Sequence, residues 1–234
     1  MSYKKLLTFS FDDGITQDIR FIEILNKYGL KGTFNLNSSL LGTETELIVS
    51  GQKVPHIKVN AQDVRHIYSG HEIAAHTLTH PFLPDCDEDE IVRQVEEDRK
   101  ILSYIADYEV VGFAYPGGGK NYNEQVAEVI KNNTGVKYAR TTAVTESFTE
   151  KSDIYMFKPT VSLTKDSDKI FRMIDDFLLF EPEDYALFYI WGHSYELDAG
   201  DRWSYFEEVC KALSGHKDVC YCTNKEAFEL MGDI

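Results

Sequence analysis

The sequence predicts an α/β protein in which a parallel sheet or barrel of roughly seven strands is covered by helices. Short apolar, β-prone runs alternate with stretches of helical period along the whole chain. The polar clusters that stand out sit just after the strand-like runs, at the end of a strand where βα barrels carry their chemistry. A length of 234 residues suits one domain spanning 1–234, and 43% hydrophobic with 13% aromatic residues is enough for a sizeable core.

Leu6-Leu7-Thr8-Phe9-Ser10-Phe11 reads as a buried strand, and Ile15, Ile19, Ile22 and Leu25 define one face of a helix over about 16–28. Gly32 to Leu36 forms the next strand. Residues 38–59 are polar and too long for an ordinary connection, which marks them as a frame for a groove. A helix over 61–69 and a short strand over 72–76 follow. Asp87 and Glu90 resemble a capping box that opens a helix to about 106, with Ile91, Val95, Leu102 and Ile105 on its inner face. Val110 to Tyr115 is a strand that stops at Pro116-Gly117-Gly118-Gly119.

Residues 123–132 read as a helix and Val136 to Arg140 as a short strand. A second long segment, 141–166, precedes a helix over about 167–179. Ala186 to Trp191 is an apolar strand. The helix over 203–213 turns Phe206, Val209, Cys210 and Leu213 to one side, and Val219 to Cys222 and a helix from about 225 close the chain. There is no internal repeat or low-complexity tract.

With 24 basic and 39 acidic residues the formal charge is −15, which disfavours nucleic acid and anionic membrane surfaces as partners. The four cysteines are scattered without a CxxC pair and read as reduced thiols. Met1 to Lys5 lead into a strand without an apolar signal region, and no run is long enough to span a membrane, so the chain as given reads as cytoplasmic. Nothing in the sequence sets an oligomeric state.

Asp12-Asp13 after the first strand and His76-Thr77-Leu78-Thr79-His80 after the third supply the parts of a mononuclear metal hydrolase. Two imidazoles and a carboxylate can hold a zinc-like ion with a position left for water, and the second aspartate is free to act as a base. Alone, Asp-Gly is a turn signal and a helix cap, and an isolated HxxxH is weak. Pro81 and the preceding strand put the two histidines in a turn rather than on a helix. His193, after Tyr189-Ile190-Trp191-Gly192, brings a third imidazole to the same end of the sheet, whereas His56, His66, His71 and His216 read as structural.

These residues resemble the motifs of the polysaccharide deacetylase (NodB-homology) family, carbohydrate esterase family 4. Ser10-Phe11-Asp12-Asp13-Gly14 resembles its first motif and His76 to His80 its second. Ala114-Tyr115-Pro116-Gly117-Gly118 and Trp191-Gly192-His193 are similar to degraded forms of its third and fifth. The resemblance implies a distorted (β/α) barrel and a divalent metal, usually Zn2+, with Co2+ as the other candidate. By position it makes Asp13, His76 and His80 the metal ligands, Asp12 the general base and His193 the general acid. The arginine of the third motif is replaced by Ala114, and Arg140 is the candidate substitute. The partner of His193 is to be found among Glu196, Asp198 and Asp201.

The expected activity is hydrolysis of N-acetyl groups on an acetylated amino sugar, polysaccharide or small acetylated substrate, with the Gly117 N–H helping to stabilise the oxyanion. Trp191 would wall the acetyl pocket, and Tyr115, Tyr122, Tyr195 and Trp203 are candidates to stack on sugar rings. An O-acetyl (xylan-type) esterase of the same fold, a related cyclic-amide hydrolase and a non-catalytic carbohydrate-binding relative are the rival readings.

Overall fold

The computed structural model describes residues 4–234, so the reading of Met1 to Tyr3 lies outside the described residues. In chain order the strands are β1 (Lys5–Asp12), β2 (Gly32–Leu36), β3 (Glu44–Val49), β4 (Gln52–Ile57), β5 (Glu72–Ala75), β6 (Gly112–Ala114), β7 (Tyr138–Arg140), β8 (Val161–Ser162), β9 (Ala186–Gly192) and β10 (Val219–Tyr221). The helices are α1 (Gln17–Lys27), α2 (Val64–Ile67), α3 (Glu88–Val92), α4 (Asp98–Ala106), α5 (Glu124–Asn133), α6 (Ile170–Leu179), α7 (Trp203–Leu213) and α8 (Asn224–Met231).

The main sheet runs β7-β6-β5-β2-β1-β9-β8 and every pair in it is parallel. β1 is the central strand, and all eight of its residues are buried, as a strand covered on both faces requires. One edge of β1 pairs with β9 from Lys5 to Phe11. The other is shared end to end, by β10 alongside Lys5–Leu7 and by β2 alongside Phe9–Asp12. Residues 157–162 join the two ends of the sheet: Phe157 bridges to Arg140 beside β7, and Val161 pairs with Ile190 of β9. The sheet thereby curls into the distorted (β/α) barrel, with the seven expected strands and the two-residue β8 in addition.

Helices pack outside the sheet through large side chains. Phe21 of α1 stacks on Phe206 of α7 with centroids 4.0 Å apart and meets Phe11 of β1 at the same separation. Burying one such ring contributes about 1.5–3 kcal/mol. Ile19, expected on the inner face of α1, is 44% exposed; Phe21, Ile22, Ile24 and Leu25 form that face instead. The helix expected over 61–69 shortens to α2, and the one expected from 167 begins at Ile170.

Asp87 caps α3 by accepting from Glu90 N, but Glu90 turns its carboxylate to Arg93 and Gln94, so the box is half made. A π-helical turn, Arg93–Glu97, separates α3 from α4. Such turns often sit at functional positions. Here Gln94 O accepts from Leu78 N, and the Gln94 side chain bonds Thr79 N and Thr79 Oγ1, which pins the loop carrying both motif histidines. Residues 38–59 are not an open loop: β3 and β4 form an antiparallel hairpin. Among the described residues no helix is long and apolar enough to cross a membrane.

Candidate metal centre

Asp12 is the last residue of β1, and Asp13 leaves the strand with φ +85°. Gly14 follows at φ +60°, and a Cβ there would lie 2.7 Å from Leu36 Cγ, so this turn needs glycine. The sharp exit makes the two carboxylates diverge: Asp12 points into the barrel mouth and Asp13 towards the loop after β5.

That loop carries His76 and His80. Thr77 and His80 both adopt positive φ, Thr77 Oγ1 accepts from His80 N, and Asn37 Nδ2 donates to the carbonyls of His76 and Thr77. The histidines therefore meet across a turn, with ring centroids 5.0 Å apart. His76 Nδ1 lies 2.8 Å from Ala114 O. A proton on Nδ1 satisfies that carbonyl and leaves Nε2 with a free lone pair, the arrangement usual for a metal-ligating histidine.

One donor atom from each of Asp13, His76 and His80 lies within 4.8 Å of the other two. Zinc bonds of about 2.0–2.2 Å would bring such atoms within about 4.4 Å of one another, so the triad is close to ligating geometry. The protonation states also suit a cation. Burial pushes His76 down to about 4 and lowers His80, which keeps both rings neutral. Burial alone would raise Asp13, but His56, Lys58, His193 and His76 together hold it well below the usual carboxylate range.

Asp12 is fixed from behind. Its Oδ1 accepts from Asn35 Nδ2 at 2.8 Å and pairs with the Arg140 guanidinium, which is fully buried and lies over the Trp191 ring at 5.0 Å. Burial opposes ionisation of Asp12, yet Arg140, His76 and His193 outweigh it and lower its pKa. His193 follows β9, and its Nε2 is 3.9 Å from both Asp12 Oδ2 and Asp13 Oδ2. Its Nδ1 is 3.3 Å from Glu196 Oε1. Burial favours neutral His193, but Glu196, Asp13 and Asp12 raise its pKa overall. Of the three candidate partners only Glu196 reaches the ring; Asp198 bonds Gln17 and Trp203 instead.

Asp12, Asp13, His80 and His193 line a cavity of about 450 Å³, together with Gly117 at φ +78°, Gly118, Trp191, Lys165 and Tyr195. Its remaining wall is Leu40 and the hairpin segment, through Thr45, Leu47, His56 and Lys58. Trp191 and Tyr195 stand where the sequence suggested. Tyr115 and Trp203 do not: they are 0% and 4% exposed, because each packs into the core against neighbouring rings or cations. Tyr122 packs on Tyr115.

Two basic residues beside Asp13 escape the sequence reading. His56, assigned a structural role there, has its Nε2 3.3 Å from Asp13 Oδ2. Lys58 Nζ lies 3.0 Å from Asp13 Oδ1. The available signal was the alternation of Val54, His56 and Lys58 after the Ser50-Gly51 turn, which places all three on one face of a strand.

Residues 2–139 match the polysaccharide deacetylase family. No curated protein matches the chain in sequence. Among solved structures, the chain resembles the Xyl-CE4 domain of a multidomain xylanase from the hindgut metagenome of Trinervitermes trinervoides, at 17% identity over 98% of this chain and 92% of that one, with a TM-score of 0.58. It resembles peptidoglycan deacetylase PdaC from Bacillus subtilis at 17% identity over 98% and 92%, with a TM-score of 0.55. A family 4 acetyl xylan esterase from Clostridium thermocellum, in complex with a cobalt ion, is similar at 15% identity over 97% and 92%, with a TM-score of 0.54. At these identities the likeness is one of fold.

Proposed function

The chain belongs to the polysaccharide deacetylase family, and from that premise we propose that it is a metal-dependent hydrolase that removes N-acetyl groups from an acetylated amino sugar or polysaccharide. The observation that carries this reading is the convergence at one cavity of Asp13 and His80, with His76 buried beside them, the Arg140-paired Asp12 and His193 with Glu196 3.3 Å from its ring.

In this reading Asp13, His76 and His80 hold a divalent ion, zinc or cobalt. Such an ion supplies a water ionised near neutrality and polarises the acetyl carbonyl. Asp12 takes the proton of the attacking water on Oδ2, because Oδ1 is occupied by Asn35 and Arg140. The Gly117 N–H, in the wall of the cavity, is the backbone donor for the oxyanion. His193, whose pKa Glu196 raises against burial, gives its Nε2 proton to the leaving amine. Trp191 closes the end of the cavity against the acetyl methyl.

An amine leaves only as its protonated form, whereas an alkoxide leaves more readily, so a histidine held in its acid form favours an amide substrate. Acetate release from N-acetylglucosamine oligomers and from acetylated xylan, each assayed after chelation and after zinc or cobalt addition, tests the reading. Preference for the oligomers is expected. Preference for xylan reassigns the protein as an O-acetyl esterase, and full activity without metal rejects the mechanism.

A further inference from the structure

We propose that Lys58 is a resident counter-cation of Asp13, one that holds this carboxylate in place before a divalent ion arrives and then shares it with the ion, so that the metal is held loosely and exchanges readily. This rests on the metal-binding reading above and goes beyond it.

The ammonium of Lys58 makes three contacts, to Asp13 O at 2.6 Å, Asp13 Oδ1 at 3.0 Å and Asn37 Oδ1 at 3.0 Å. A lysine has three protons to donate, so none is left for substrate. Lys58 is therefore a positioning residue and not an oxyanion donor. Only 4% exposed, it cannot exchange these partners for water at low cost. Its bond to the Asp13 carbonyl also braces the φ +85° backbone that aims the carboxylate. The other buried acid nearby, Asp98, takes its hydrogen bonds from the backbone N–H groups of Ser38 and His76.

Asp13 Oδ1, the oxygen that Lys58 holds, is also the one 4.0 Å from His80 Nε2. An ion bound between Asp13 and His80 would thus sit next to an ammonium in a mostly buried setting, where like charges repel strongly. Arg140 already neutralises Asp12. The two carboxylates at this end of β1 each have a cation before any metal binds, and the ion gains little net charge compensation from them.

Metal affinity tests this directly. Zinc and cobalt binding to the metal-free protein would be measured by competition with a chelating dye, for the wild type, Lys58→Met and Lys58→Arg, with circular dichroism confirming folding. The Met variant should bind at least ten-fold tighter, and the Arg variant, which keeps the charge, should stay near wild type. The melting temperature of metal-free Lys58→Met should fall, since Asp13 loses its counter-ion, and its rise on adding zinc should exceed that of the wild type. Wild-type binding with unchanged or weaker affinity in folded Lys58→Met overturns the inference alone. Equal tightening in Lys58→Arg removes charge as the cause and overturns it too. Absence of binding in every protein overturns both this inference and the metal-dependent reading.

Discussion

Arg140 Nη2 meets Asp12 Oδ1 inside the barrel although 128 residues separate them, and their side chains are 0% and 2% exposed. Arg140 ends β7 and Asp12 ends β1, so the pair spans the mouth of the barrel. It supplies from a later strand the positive charge that Ala114 cannot.

Arg140→Met should leave this aspartate buried without its main counter-charge. Breaking a buried pair in this way typically costs about 3–5 kcal/mol of stability. The Asp12 pKa, now pulled down by Arg140 against burial, should rise, and the acid limb of the rate profile should move to higher pH. Metal content should stay near wild type. Unchanged kinetics with an unmoved acid limb would separate Arg140 from the reaction.

Glu196→Gln removes the carboxylate that raises the His193 pKa against burial. His193 must be cationic to donate, so its deprotonation sets the alkaline limb. That limb should shift to lower pH in the variant, with amide turnover hit harder than ester turnover. The pH dependence of kcat/KM on both substrate types is the measurement, and a superimposable alkaline limb removes Glu196 from this role.

Asp12→Asn and His80→Ala should fail in different ways. The first should keep its metal and lose turnover by about 10²–10⁴-fold, the usual contribution of a general base. The second should lose metal affinity, read by metal analysis after dialysis. If Asp12→Asn turns over normally, the proton acceptor lies elsewhere.

Asp18 offers a test of stability rather than activity. Burial pushes its carboxyl up to about 7, despite bonds from Ser194 Oγ, Tyr68 Oη and Ile15 N. A folded pKa above the unfolded 3.8 means that its stabilising contribution is complete below that value and is lost as pH rises through about 7. Asn does not titrate. The stability deficit of Asp18→Asn should accordingly be smaller at pH 8 than at pH 5 in urea unfolding; an equal deficit at both would mean that Asp18 is ionised throughout.

Much of the barrel was legible because β1, β2, β5 and β9 are buried on both faces and read as short β-prone segments rich in apolar residues, bounded by polar turns. Asp12, Asp13, His76, His80 and His193 were legible because each follows such a run. Arg140 could be named, but only the fold brings it to Asp12. β8 was not readable, since two residues carry no period. The hairpin was hidden for a different reason: β3 is largely exposed, so polar residues break the apolar signal, and with no strand recognised there His56 read as structural and Lys58 drew no reading. Tyr115 and Trp203 could not be resolved from sequence, because an aromatic side chain fills a core or faces a sugar with the same composition.

His56 lies on a hairpin outside the main sheet and Lys58 directly follows it, whereas Asp12 ends the central strand of that sheet and Asp13 directly follows it. Changing the carboxylates means disturbing the most deeply packed strand of the protein. Changing the basic groups opposite them alters the end of a peripheral ribbon, with a stability cost at buried Lys58 but no change to the strand itself. The electrical character of the pocket can therefore drift, in evolution or by engineering, while the barrel that frames it stays constant.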